Sequence, residues 1–239
     1  MNRRVRWLGL AVLAIVWLLS GCAPIYLPST PNTPMLESEG DLKLSGKVGI
    51  NGGEIQAAYA LRDNTHLFGS FISSMDNSDA DEEVDSSQHT YFELGGGRSW
   101  RPENWLVLEA SGGMGVGSGR GRSIFLLDTS FERHAEGNYI KPFVQTNLAI
   151  QTRVLDFGFV NRLSLINFDE ITETGRDPEL NTDPSGSLFY EPGIYTQLGW
   201  DRLKFNAHLG MSRPLGNTPE FDHNALILSF GVNYRFSVR

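Results

Sequence analysis

A single cysteine, Cys22, occurs in 239 residues. No disulfide can therefore form within the chain, although an exported compartment would permit one. Nor is any stretch apolar over the ~20 residues a helix needs to cross hydrocarbon; the longest such run is Leu8 to Leu19. From Asp41 onward a convincing helical period is missing as well. Basic residues are outnumbered, 20 against 28, which argues against binding nucleic acid or an anionic surface through bulk charge. The five histidines, His66, His89, His134, His208 and His223, form no close ligand pair, and no second thiol could complete a metal site. There is no Gly-x-Ser-x-Gly elbow. No catalytic residue, cofactor or metal is expected.

What is present begins at the first residue. Met1-Asn2-Arg3-Arg4-Val5-Arg6 is a short basic start, and the apolar run follows it. A basic start, a short apolar core and small residues after it make a secretory signal rather than an anchor helix. The run ends Leu19-Ser20-Gly21-Cys22, which resembles the lipobox of bacterial lipoproteins. That resemblance implies that residues 1–21 are a signal peptide and that Cys22 becomes the lipidated N-terminus. Losing Arg3, Arg4 and Arg6 leaves 17 basic against 28 acidic residues, a formal charge of −11. By resemblance to sorting signals, Ala23 is compatible with the outer membrane. Residues 22–40 carry Pro24, Pro28, Pro31 and Pro34 among Ser, Thr and Asn, and read as an extended tether. Residues 41–239 form the remaining domain.

That domain alternates with period two, many times over. Leu226, Leu228, Phe230, Val232, Tyr234 and Phe236 fall on one face, with Ser229, Gly231, Asn233 and Arg235 on the other. Leu203 to Met211 repeats the rule, as do Ile140 to Ile150, Leu155 to Leu165 and Leu42 to Ile50. Strict alternation of this kind is a strand. About ten strands are expected, near 41–50, 54–62, 66–74, 88–98, 104–117, 138–151, 153–168, 187–200, 201–213 and 224–238.

Two folds fit: a soluble lipocalin-type barrel with its apolar face inward, or a membrane barrel with that face on lipid. Three features lean toward the membrane. The polar face is rich in Gly, Ser, Asn and Gln; the chain ends on an aromatic-bearing strand, Asn233-Tyr234-Arg235-Phe236; and short and long connections alternate. Short turns at 62–64, 100–104, 152 and 200–201 would lie in the periplasm, and long ones at 75–87, 118–137, 169–186 and 214–223 outside. Ile50-Asn51-Gly52-Gly53 is the exception, a short turn on the outer side whose Asn-Gly pair favours a hairpin.

Several segments then carry a family resemblance: Asn32-Thr33-Pro34-Met35-Leu36, Gly40-Asp41-Leu42, Gln56-Ala57-Ala58-Tyr59-Ala60, Lys141 to Asn147, Glu191-Pro192 and Ser212-Arg213-Pro214-Leu215. Together they resemble an outer-membrane β-barrel lipoprotein family of Bacteroidetes-type bacteria. The resemblance implies fold and location across nearly the whole mature chain and supplies no catalytic or binding residue.

Other constellations are weaker. The acidic run Asp76–Asp85 lacks the glycine and spacing of a calcium loop and reads as a solvated loop. Gly112 to Gly121 precedes no helix, so it reads as tight curvature and then a loop, not a phosphate cradle. His208, beside Ser212 on the polar face, reads as a hydrogen-bonded interior histidine. The expected whole is an all-β, up-and-down transmembrane barrel of about ten antiparallel strands, lipid-anchored in the outer membrane. Its expected role is structural, adhesive or in assembly, with outer-membrane lipid and other outer-membrane proteins as partners and no nucleic acid. A narrow pore, a lipid-modifying enzyme and a tethered lipocalin-like carrier are the alternatives. Opposite inward charges, Lys43, Lys47, Lys141, Arg162, Lys204 and Arg235 against Glu54, Glu93, Glu109, Asp156 and Glu191, are expected to neutralise one another and block the passage.

Overall fold

The computed structural model describes residues 24–75, 85–124, 132–174, 180–182, 186–200, 202–216, 219 and 221–237. Ten long strands follow the alternation: β1 (Leu42–Gly49), β2 (Gly52–Arg62), β3 (Thr65–Met75), β4 (Asp85–Glu103), β5 (Leu106–Ile124), β6 (Glu132–Gln151), β7 (Leu155–Thr174), β9 (Ser187–Gly199), β10 (Leu203–Met211) and β12 (Leu226–Phe236). Two short pieces, β8 (Leu180–Thr182) and β11 (Arg213–Leu215), lie beside β7 and β9. Each long strand pairs antiparallel with the next along the chain, β7 with β9, and β1 with β12. The sheet therefore closes on itself, which removes every edge.

The apolar stripe lies outside. Val48, Ile55, Leu94, Met114, Val144, Leu198, Phe205 and Phe230 are each more than half exposed, whereas the intervening polar residues are buried. This is the arrangement of a membrane barrel, and it is the reverse of a carrier that holds its apolar face around a ligand. The lipocalin-like alternative is thereby overturned. Trp100, Trp105 and Trp200 stand exposed at the short-turn end, where an interfacial aromatic girdle belongs.

The structure lengthens the expected strands. β4 to β7 run 19 to 20 residues; β4 gains five residues at the short-turn end, and on the long-connection side it gains three and β5 to β7 six or seven. There the outward positions turn polar, with Gln88, Thr90, Ser118, Arg120, Glu136 and Asn138 exposed and Arg120 paired to Glu136 at 3.0 Å. The ladder continues while the alternation of hydrophobicity disappears. The expected loop in Gly112–Gly121 is accordingly strand. Most of the acidic run, from Asp76 to Val84, lies outside the described residues.

Candidate functional site

The barrel interior is occupied by the chain's own N-terminal segment. Residues 25–36 are all buried. Along β5, Gly119 stands against the carbonyl of Ile25, and Glu109 Oε1 accepts from the Met35 N–H at 2.8 Å. Ten residues of segment thus span ten residues of β5 in the opposite sense, an extended chain covering about 33 Å. It enters at the long-connection end and leaves at the short-turn end. The tether expected over residues 22–40 is, from 24 to 36, an extended segment inside the barrel, with a single bridge from Tyr26 to His223.

Prolines at 24, 28, 31 and 34 explain why this segment joins no ladder, since each lacks an N–H. Its carbonyls are instead taken by wall side chains. Asn51 Nδ2 donates to Pro28 O at 2.9 Å, Gln56 Nε2 to Thr30 O at 2.8 Å, and Lys43 Nζ to Thr33 O at 2.8 Å. Gln145 Nε2 donates to Asn32 O. At the exit, Met35 adopts a left-handed backbone (φ 50°), a conformation non-glycine residues rarely take. Its carbonyl accepts from Arg235 Nη2 at 2.9 Å and Arg101 Nη2 at 3.3 Å, which pins the bend.

Three layers hold the segment. At the long-connection end Ile25 and Tyr26 sit in an aromatic cluster with Tyr91, Tyr139, Phe168, Phe189 and Phe221. In the middle Arg162, fully buried, donates to Glu93 at 3.1 and 3.3 Å, to Gln145 Oε1, and to Ser29 Oγ at 2.9 Å. Lys141 pairs with Glu191 at 3.2 Å, and Glu191 also accepts from Tyr26, Ser164 and Ser212. Near the short-turn end Lys204 pairs with Asp156 at 2.7 Å, beside a polar recess of about 350 Å³ that includes Glu37, Lys43 and Arg235.

Inward charges expected to meet across strands therefore do so at Arg162–Glu93, Lys141–Glu191 and Lys204–Asp156. Lys43 and Arg235 instead hold carbonyls of the N-terminal segment. Glu109 accepts from Met35, Ser99 and Asn147. Inward glycines of β5 leave room for what fills the lumen: a Cβ at Gly115 would strike Tyr91, one at Gly117 Tyr139, and one at Gly119 the carbonyl of Ile25.

His208 and Ser212, neighbours on the polar face, share no hydrogen bond. Ser212 Oγ donates to Glu191 at 3.2 Å. His208 is buried in the lumen, with neither ring nitrogen hydrogen-bonded among the described residues. It is an interior histidine, without the hydrogen bond expected of it. No group of three potential metal ligands occurs among the described residues. Cys22 lies outside the described residues.

No family model and no curated protein matches the sequence. Among solved structures the chain is similar to the translocator domain of autotransporter NalP from Neisseria meningitidis, at 12% identity and a TM-score of 0.47, covering 98% of this chain and 96% of that one. It is also similar to the KdgM porin (10%, 0.37, 82% and 99%) and to a major outer membrane protein from Thermus thermophilus (11%, 0.38, 82% and 99%). Such low likenesses carry nothing about activity; the fold rests on the strand pairing.

Proposed function

We propose that this protein is a lipid-anchored outer-membrane barrel that is closed by its own N-terminal segment and serves structure, adhesion or assembly rather than conduction. Signal removal before Cys22, acylation of Cys22 and long connections facing outside belong to this reading. The observation that carries it is the occupied lumen: residues 25–36 fill the passage, and the buried ion pairs crowd what remains. Eight-stranded barrels are filled by side chains and sixteen-stranded ones conduct; here a peptide segment fills the extra width of ten. A narrow pore is the second reading, and the polar inward faces would suit it once the segment were gone.

Purified full-length protein in planar bilayers is expected to be silent, and a variant joining Ala23 directly to Glu37 to show steps. Steady ohmic channels from the intact chain would promote the pore reading instead. Fatty-acid labelling of cells should mark the wild-type protein and vanish in Cys22→Ser.

A further inference from the structure

We infer that the N-terminal end of the chain emerges on the long-connection side, so that the lipid at Cys22 is planted from the cell surface through the lumen and not from the periplasm. This rests on the reading above for the acylation itself and for which end faces outward; the direction of the segment is independent of both.

The direction is fixed at both ends. Ile25 and Tyr26 donate their N–H groups to Asp222 O, at 3.1 and 3.3 Å. Asn224 returns one to Tyr26 O at 3.0 Å, and Tyr26 bridges His223 in parallel. These partners lie in the connection between β11 and β12, on the long-connection side. Ten residues later Met35 is held by Glu109, Arg101 and Arg235 at the opposite mouth, and the chain turns back through Gly40 (φ 84°) into β1. Cys22 precedes Pro24 by two residues, a reach of no more than about 7 Å. Whichever face Pro24 opens on is the face Cys22 can occupy.

The barrel wall also provides an exit to the bilayer. β4 to β7 rise high on one side, but the β1–β2 hairpin is short, and Asn51 at its tip donates to Pro28 O and to Leu226 O. The wall is therefore already at its top beside Pro28. Ile25 and Tyr26 are held at Asp222 O, so the part of the chain that can leave the lumen starts at Pro24, and the two residues back to Cys22 reach about 7 Å from there. The short outward turn that breaks the alternation of connections stands beside the point where the segment leaves, Asn224 Nδ2 donating to Asn51 Oδ1 at 2.7 Å.

A protease site with flexible flanks inserted between Ala23 and Pro24 tests this in cells fed a clickable fatty acid. Protease added to intact cells should strip the label from the barrel band while the barrel stays folded by heat-modifiability. Cleavage that requires permeabilised cells or a heat-unfolded sample overturns the proposal. A protein that carries no label before protease removes the acylation reading and the surface anchor with it, whereas label retained until permeabilisation removes only the direction. A second variant guards against a disturbed N-terminus: in Thr30→Cys/Ser229→Cys, whose parent hydroxyls are 3.1 Å apart, a reducible intramolecular crosslink should form. Its absence in folded protein overturns the threaded segment.

Discussion

At the scale of single residues, the lumen tolerates little. Arg162 and Glu93 have no exposed side-chain surface, so removing one partner strands the other charge in a dry interior. Glu93→Ala should lower unfolding free energy in detergent by about 3–5 kcal/mol. Adding Arg162→Met should recover part of that loss in a double-mutant cycle; strict additivity would mean the two do not interact. Glycines offer a cleaner contrast. A Cβ at Gly119 would collide with the Ile25 carbonyl oxygen, whereas one at Gly46 meets nothing within 4 Å. Gly119→Ala is expected to dislodge the segment and to weaken the Thr30–Ser229 crosslink, and Gly46→Ala to leave it intact. On the outer wall, Phe230→Arg should cost about 2–4 kcal/mol if Phe230 sits near the bilayer midplane.

Among elements, the strands were legible and the place of the internal segment was not. All ten long strands announce themselves because inward polar and outward apolar side chains alternate, and lipid enforces that code. Where β4 to β7 leave the apolar belt, Ser118, Arg120, Glu136 and Asn138 face outward, the code lapses, and their continuation could not be read. Residues 24–36 carry no period and four prolines, so composition says only that they are extended. A clue was there in retrospect. Asn51, Gln56 and Gln145 point inward as amide donors, and Ile25, Tyr26, Leu27, Met35 and Leu36 are too apolar for a solvated tether. Nothing in the sequence says that these two sets meet.

The cap over the segment's upper end gives an element-scale prediction. Burial holds the His223 imidazole below its ordinary value, an effect that Asp222 and a backbone hydrogen bond oppose. Its folded pKa thus lies under the unfolded value of about 6.5. The stability this confers is present above about pH 6.5 and is lost as pH falls through the folded value. The protection of the amides at residues 222–224, measured as exchange relative to the intrinsic rate at each pH, should fall between about pH 7 and pH 5, and His223→Gln should flatten that dependence. An unchanged profile in the variant would assign it to another group.

For the whole molecule, the enclosed segment dictates an order of events. On the proposed acylation of Cys22, a finished ring could not admit the chain end, and this barrel would be wrapped around its first residues rather than threaded later. The geometry allows it, because the segment leads directly into β1 and the pairing that closes the ring joins β1 to β12 through eight residue pairs, Leu42↔Phe236 to Gly49↔Ser229. The segment touches both sides of that seam: Lys43 on β1, and Ser229 and Arg235 on β12. Wrapped in this order, it would act as a mandrel, bringing the first and last strands to the right radius before they meet. Without it, the sheet would have to find its own circumference, and refolding into detergent should slow even where the closed form is still reached.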